Sequence, residues 1–455
     1  MSGHTTKAFG SYDVRGRIPD ELNEEIVYDI GRAYAKLVRP QGPVAVGHDV
    51  RPSSPELSEA LIRGLNDAGA DAIDIGLVGT EIVYFASAQD GVGGGIMVTA
   101  SHNPSDYNGL KFVRSNAVPI SGDSGLRDIE RMVAEGDLET AARTGSVRTE
   151  DVREAYIACV LNFIEPAELE PLHFVVNAGN GCAGPFIDLI ARRLPLRLTK
   201  IDHEPDGSFP HGVPNPLRPG NRERTADAVR QSGASVGVAW DGDFDRCFFF
   251  DEDARFIEGY YLVGLFAERM LRDRPGERII HDPRLVWNTI EVVTQAGGIP
   301  VQCKTGHAFI KERMRAEDAI YGGEMSAHHY FRDFHYADSG MIPWLLVADI
   351  ITKRRRPLGE LVAEMEERFP CSGEINLAVS DSDAQRAAIE EARRRYEEAG
   401  GVVDTTDGVS VAFDCWRFNL RASNTEPVIR LNVETRGDRE LLEEKTAQIV
   451  GLIES

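Results

Sequence analysis

No cysteine pair in this chain has the CxxC spacing of a zinc knuckle or a redox dithiol, and Cys159, Cys182, Cys247, Cys303, Cys371 and Cys415 are scattered along it. Buried, reduced thiols are expected. No apolar run approaches the ~20 residues that a bilayer-spanning helix needs, and the opening "MSGHTTKAFG" lacks the apolar stretch of a secretion signal. These absences predict a cytosolic (cytoplasmic) protein with no membrane partner. Positive charge is scarce as well, with 50 Lys+Arg against 73 Asp+Glu and a formal net charge of -23. That balance argues against a nucleic-acid partner, because gripping a phosphate backbone needs clustered cationic surface. An anionic small molecule would have to meet a local group of Arg and Lys.

The rest of the composition, 42% hydrophobic and 27% charged, is that of a packed globular protein. At 455 residues the chain is too long for one core, and roughly 150 residues per domain suggests three or four. Three times a short β-branched run ends in an Asp/Asn/Gly loop: "PVAVGHDVRPSS", "HFVVNAGNGCAGP" and "RIIHDPRLVWN". After each comes a helix-length segment ending near glycine and then a second strand. Strand, helix, strand is the pattern of mainly parallel sheets whose loops at the strand C-terminal ends carry ligands.

The tail differs. "DSDAQRAAIEEARRRYEEAG" opens on a helix cap at Asp381 and stops at Gly400, and strand-like runs follow. The fold class expected is α/β: three topologically similar α/β domains with mixed, mainly parallel sheets, plus a smaller α+β C-terminal domain. The divisions fall at 1–148, 149–252, 253–370 and 371–455.

Four stretches carry chemistry. "TASHNPSDYNGLKF" sets Ser101 at a strand end beside His102 and an Asn-Pro turn, with Lys111 returning on the next strand. No G-x-S-x-G elbow surrounds the serine, so a hydrolase triad fits poorly. Accepting and donating a phosphoryl group, which depends on positioning and charge neutralisation, fits better. "DGDFDR" places Asp241, Asp243 and Asp245 at alternate positions after an apolar strand, so the three carboxylates converge along an extended loop. Oxygen-only ligands select a hard ion, Mg2+ or Ca2+. An EF-hand is excluded by Arg246 at its glycine position and by the strand-like "CFFFD" that follows. "YGGEMSAHHYF" offers Glu324 and Ser326, which can fork adjacent sugar hydroxyls, with His328 and His329 beyond. A zinc reading of that histidine pair is weak for want of a nearby third His or Cys. "LRASNTEPVIRL" joins Arg421 to Ser423, Asn424 and Thr425, a set suited to surrounding a phosphate dianion. Tyr12, Arg15 and His307 count only if they face Ser101.

In this order and at these spacings, the four motifs resemble the α-D-phosphohexomutase superfamily, and within it the bacterial phosphomannomutase/phosphoglucomutase type. The resemblance runs the whole length, from "YDVRG" through "GHDVRPSS", "NAGNG", "HEPDGSFP" and "HDPRLVWNT" to the tail. It implies four domains arranged as a heart around one central cleft, the first carrying a phosphoserine loop, the second a metal-binding loop, the third a sugar-binding loop and the fourth a phosphate-binding loop. By similarity, Ser101 is the phosphoserine, and Ser101, Asp241, Asp243 and Asp245 hold Mg2+. Glu324 and Ser326 hold hexose hydroxyls, and Arg421, Ser423, Asn424 and Thr425 grip the phosphate not being transferred. Tyr12, Arg15, His102, Lys111, Arg246, His307 and His328 match cleft positions, with Lys111 and His328 candidates for proton transfer.

The activity implied is interconversion of mannose 6-phosphate and mannose 1-phosphate through a hexose 1,6-bisphosphate intermediate, which also serves as activator. Partners are small hexose phosphates, and the chain is expected to be a monomer or weak dimer. The chain departs from the family at Ala327, where many members have glycine. Rivals are a glucose-preferring or dual-specificity mutase, a phosphoglucosamine mutase, a Mg2+-dependent sugar phosphatase and a noncatalytic sugar-phosphate sensor. Against an aspartyl phosphatase, "DGDFDRC" lacks the Thr that a D-x-D-x-T run needs.

Overall fold

The β-branched runs form strands and the segments between them helices, as the strand, helix, strand reading predicts. The structure is a computed structural model and describes residues 6–138, 140–423 and 428–454. It comprises two compact units: Met1–Phe256 with His328–Arg355, and Ile257–Ala327 with Arg356–Ser455. No helix among the described residues is long and apolar enough to cross a membrane.

In the first unit, a mixed sheet runs in the order Val14–Arg17, Tyr107–Arg114, Gly94–Val98, Val44–His48, Ala72–Leu77, Val147–Thr149. Val44–His48 pairs in parallel with both Ala72–Leu77 and Gly94–Val98, and Gly94–Val98 pairs antiparallel with Tyr107–Arg114. The Glu24–Val38 helix starts at Asn23, whose side chain accepts from Ile26 N at 3.1 Å, with Glu24 and Glu25 at the positive end of the helix dipole. Its apolar face, with Ile26, Val27, Ile30 and Tyr34, joins Val44, Val46, Ile96 and Phe112 in the core.

A second sheet orders Cys247–Phe250, Val236–Trp240, His173–Asn177 and Arg197–Ile201. Its antiparallel register pairs Trp240 with Cys247, which makes residues 241–246 the tip of a hairpin. The returning segment supplies the His329–Phe331 and Ala337–Asp338 hairpin and the Met341–Arg354 helix, buried from Met341 to Thr352. Trp344 on that helix meets Trp240 edge-on at 5.8 Å and Phe174 at 6.3 Å, which fixes it against the second sheet.

In the second unit, Arg278–His281 pairs in parallel with Ile299–Gln302 and Tyr321–Gly323. An antiparallel sheet follows, in the order Ile375–Ala378, Val428–Thr435, Trp416–Ala422, Val409–Ala412, Val402–Asp404. The Ser382–Glu398 and Arg439–Ile453 helices share its core, with Phe418, Leu420, Leu431 and Ile449 at the centre. Asp381 caps the first of these helices by accepting from Asp383 N and Ala384 N, as expected. Buried Arg417 pairs with Glu434 at 2.8 Å and donates to the carbonyls of Pro283 and Arg284, tying this sheet to the loop after Arg278–His281.

The buried-thiol expectation holds for Cys182, Cys247 and Cys303 but not for the others. Cys159 and Cys371 are half-buried. Cys415 is exposed, because it lies in the turn between the Val409–Ala412 and Trp416–Ala422 strands.

Candidate active site

The Gly94–Val98 strand delivers Thr99, Ala100 and Ser101 to its C-terminal end, the edge where α/β sheets present ligand loops. Ser101 is 2% exposed and sits at φ 49°, a left-handed conformation that a non-glycine residue keeps only when its surroundings enforce it. Arg51 does the enforcing. Fully buried, its guanidinium donates to the carbonyls of Ser101 (3.0 Å), Asn103 (2.7 Å), Pro104 (2.6 Å) and Tyr107 (2.9 Å). Asp49 anchors Arg51 and accepts from Thr99 Oγ1 at 2.7 Å and Ser54 Oγ at 2.6 Å. The "GHDVRPSS" motif is the scaffold of the serine loop.

Ser101 Oγ donates to Asp241 Oδ2 at 2.9 Å, with His102 Nδ1 3.1 Å from it. One oxygen from each of Asp241, Asp243 and Asp245 lies within 4.8 Å of the others. They converge by a different route from strand alternation: Phe244 N donates to Asp241 O at 3.1 Å, closing a turn in which Phe244 takes φ 44°. A Cβ at Gly242 would lie 2.6 Å from Ser101 O, so glycine is what lets the acidic turn approach the serine loop.

Asp243 Oδ2 accepts from Thr80 Oγ1 at 2.5 Å and Lys111 Nζ at 2.8 Å, and Asp245 Oδ2 accepts from Lys111 Nζ at 2.6 Å. The Oδ1 atoms of both are buried and have no hydrogen-bond partner among the described residues. Bare buried carboxylate oxygens in an oxygen-only set fit a hard divalent cation such as Mg2+. Burial opposes ionisation of Asp243, but Lys111 and Thr80 outweigh it and hold the carboxyl well below the usual carboxylate range. Burial, and then the Asp243 anion, push Asp245 up. Burial also works against the Lys111 ammonium, yet the two aspartates hold it above the ordinary lysine value.

Arg246 donates from Nε and Nη2 to Asp241 Oδ2 at 3.0 and 2.7 Å, and from Nη2 to His102 Nδ1. Burial and the guanidinium groups of Arg246 and Arg15 push His102 far down. Arg15, on the Val14–Arg17 strand, donates to Asp13 Oδ2 at 2.7 Å and to Asn103 Oδ1 at 2.6 Å, which brings it to the serine loop. Tyr12 is half-buried three residues earlier. His328 Nδ1 lies 2.9 Å from Asp338 Oδ2, and one ligand atom each of Asp245, His328 and Asp338 lies within 4.8 Å of the others. Burial disfavours the His328 imidazolium, but Asp338 and Asp245 raise it above its ordinary value. Arg15, Lys111 and Arg246 thus bring three cationic groups to the serine loop and the acidic turn, each paired with an aspartate.

In the second unit, Glu324 and Ser326 follow the Tyr321–Gly323 strand. Glu324 Oε1 accepts from Gly306 N at 2.9 Å, and His307 opens the helix after that glycine. Arg284 Nη2 donates to Ser326 Oγ at 3.3 Å, lies 3.7 Å from Glu324 Oε1, and is anchored on Asp282 Oδ2 at 2.7 Å. The proposed sugar fork thus shares one buried arginine. Ala327 takes φ 70°. Arg421 Nη1 pairs with Asp407 Oδ2 at 3.1 Å, and Ser423 N donates to Val428 O at 3.0 Å. Asn424 and Thr425 lie outside the described residues.

Sequence reading passed over Thr80, Asp282, Arg284 and Asp338. Thr80 stands 163 positions from Asp243, with no local pattern to mark it. For Asp282 and Arg284 a signal existed: His-Asp-x-Arg occurs at both 48–51 and 281–284. In both copies the Asp Oδ1 accepts from the Arg N–H, at 3.0 and 2.9 Å, and the arginine side chain pairs with that aspartate.

The chain matches four phosphoglucomutase/phosphomannomutase family models: alpha/beta/alpha domain I over residues 6–140, domain II over 154–255, domain III over 258–369 and the C-terminal domain over 374–452. It is 55% identical over 449 residues to a Xanthomonas campestris pv. campestris protein described as phosphohexose mutases, covering 99% of each chain. It is 57% identical over 453 residues to the phosphomannomutase of Salmonella typhimurium, covering 98% of each. Among solved structures, a phosphoglucomutase/phosphomannomutase family protein from Burkholderia thailandensis superposes with TM-score 0.88 at 32% identity, covering 99% of this chain and 98% of that one.

Proposed function

The chain belongs to the phosphoglucomutase/phosphomannomutase family, and from that premise we propose that it is a phosphomannomutase, an isomerase that interconverts mannose 6-phosphate and mannose 1-phosphate. The observation that carries the mechanism is the 2.9 Å contact of Ser101 Oγ with Asp241 beside the two bare oxygens of Asp243 and Asp245. A serine so placed can hold a phosphoryl group between two half-reactions. In the first, the phosphoryl leaves Ser101 Oγ for the free hydroxyl of the hexose monophosphate, giving the 1,6-bisphosphate. After the sugar has turned end over end, the other phosphoryl returns to Ser101 Oγ.

Asp241, Asp243 and Asp245 would hold Mg2+, which when bound offsets negative charge on the phosphoryl oxygens. Arg246 and Arg15 supply fixed positive charge beside the serine. Of the two proton-transfer candidates, Lys111 is held charged between two aspartates, so it serves as a cation rather than as a base. His328 suits proton transfer better: an imidazole can both give and take a proton, Asp338 and Asp245 strengthen its hold on one, and Asp338 fixes its orientation. Glu324 and Ser326 would fork the sugar hydroxyls, and Arg421 and Ser423, with Asn424 and Thr425, would take whichever phosphate is not moving.

Intact-mass measurement on purified protein should find one phosphate on Ser101, and Ser101→Ala should lose at least 1,000-fold (roughly 4 kcal/mol) in isomerisation. An unmodified serine that also resists charging by hexose 1,6-bisphosphate would defeat the mechanism. Turnover of mannose 1-phosphate, glucose 1-phosphate and glucosamine 1-phosphate tests the substrate, and preference for the amino sugar would overturn the assignment.

A further inference from the structure

We propose that Thr80 is a positioning residue that offers Asp243 to the metal through one oxygen only, and thereby sets the preference of the site for Mg2+ over Ca2+. The inference rests on the reading of Asp241, Asp243 and Asp245 as the metal ligands. It starts from the way Thr80 holds both ends of one ligand. Its backbone N donates to Asp243 O at 3.0 Å, and its Oγ1 donates to Asp243 Oδ2 at 2.5 Å. Lys111 Nζ completes the arrangement, reaching Asp243 Oδ2 at 2.8 Å and Thr80 Oγ1 at 3.4 Å. Backbone and side chain of Asp243 are therefore both fixed by a residue at the start of a helix 163 positions away in sequence.

The attachment point is rigid. Thr80 is 0% exposed and begins the Thr80–Ser87 helix, whose residues are all buried. A β-branched side chain has few rotamers open to it in a helix, so the hydroxyl has little freedom to leave Asp243. The residue before it, Gly79, brings the helix end close enough that a Cβ there would lie 2.2 Å from the Phe244 ring and 2.6 Å from Asp243 O. No slack remains between this helix and the acidic turn.

The consequence concerns denticity. With Oδ2 occupied by Thr80 and Lys111, Asp243 has only Oδ1 to give, and Asp245, whose Oδ2 is held by Lys111, is limited in the same way. Ligands restricted to one oxygen suit Mg2+, which demands near-octahedral geometry at short distances. Ca2+ accepts more oxygens and bidentate carboxylates. Without the Thr80 hydroxyl only Lys111 would hold Oδ2, leaving Asp243 freer to turn both oxygens toward the ion, a loss for Mg2+ and little change for Ca2+.

The test is direct cation binding to full-length protein without sugar phosphate. Mg2+ and Ca2+ are each titrated by isothermal calorimetry, and Mn2+ binding is followed by electron paramagnetic resonance, with Ser101 phosphorylation matched by intact mass. Thr80→Val should bind Mg2+ about 10- to 100-fold more weakly, with Ca2+ affinity falling less than threefold, while Thr80→Ser should stay within threefold of wild type for both ions. A valine variant within threefold of wild type for Mg2+, an equal loss for both ions, or a tenfold loss in the serine variant would each overturn the inference. If the valine variant does not fold, Thr80→Ala makes the same comparison. Wild-type protein that binds no Mg2+ would instead defeat the metal-site reading itself.

Discussion

Glu81, next to Thr80, is a carboxyl buried where three segments of the first unit meet. It accepts from Tyr156 O–H and, at 2.9 Å, from Gly340 N at the start of the Met341–Arg354 helix. Burial outweighs those donors and pushes it up to about 8. The folded state therefore keeps a proton that an unfolded glutamate loses near pH 4.5, so stability falls as pH rises from about 4.5 to about 8 and levels off above that. The effect is on the order of a few kcal/mol. Glu81→Gln, which mimics the protonated carboxyl, should flatten that part of the stability curve. Denaturant unfolding of metal-free protein at pH 5, 6.5 and 8 measures it, and a wild-type curve that is flat over this window would show that the helix N-terminus and Tyr156 keep Glu81 ionised.

At the scale of elements, three loops with candidate functional residues each contain a non-glycine residue in left-handed backbone: Ser101 at φ 49°, Phe244 at φ 44° and Ala327 at φ 70°. Ala327 is the place where the family resemblance has glycine, and magnitudes explain why alanine is tolerated. Left-handed backbone costs an alanine about 1–2 kcal/mol. Against that, the buried methyl contributes about 0.8 kcal/mol, and glycine would lose a further 0.5–1 kcal/mol, roughly, in unfolded-chain entropy. The terms nearly cancel. Ala327→Gly should change stability by less than about 1 kcal/mol, while Ala327→Val, branched and overpacked, should cost about 2 kcal/mol or more. Urea midpoints of the two variants decide it, and a large loss in the glycine variant would mean that the methyl packs more tightly than its burial suggests.

The same loops show what the sequence could reveal. The serine and aspartate motifs are local, since Ser101 and His102 are neighbours and the three aspartates fall within five residues, so short-range spacing marks them. The strands beside them announce themselves through β-branched and apolar runs such as "AVGH" and "VGVAW". Thr80 and Asp338 act through contacts that the topology creates, and one threonine or aspartate in a helix or strand carries no signature. The acidic turn shows the limit of periodicity: alternate spacing anticipated the convergence, but a turn with a positive φ at Phe244 produces it.

For the whole molecule, the candidate metal ligands among the described residues fall in one of two units, each with its own core. The chain passes between the units at 256/257, 327/328 and 355/356, so the stretch "GEMSAHH" gives Glu324 and Ser326 to the second unit and His328 to the first. A ligand that binds only folded protein stabilises the part that holds it by RT ln(1 + [L]/Kd), about 2.7 kcal/mol at a hundred times Kd. Mg2+ should therefore raise the transition of the first unit and leave that of the second where it is, and chelation should reverse the shift. Scanning calorimetry with Mg2+ and with EDTA, together with limited proteolysis to assign each transition, measures this. A lone transition that moves as a whole would show the two units unfolding as one, and a shift confined to the second unit would remove the ion from the Asp241, Asp243 and Asp245 turn.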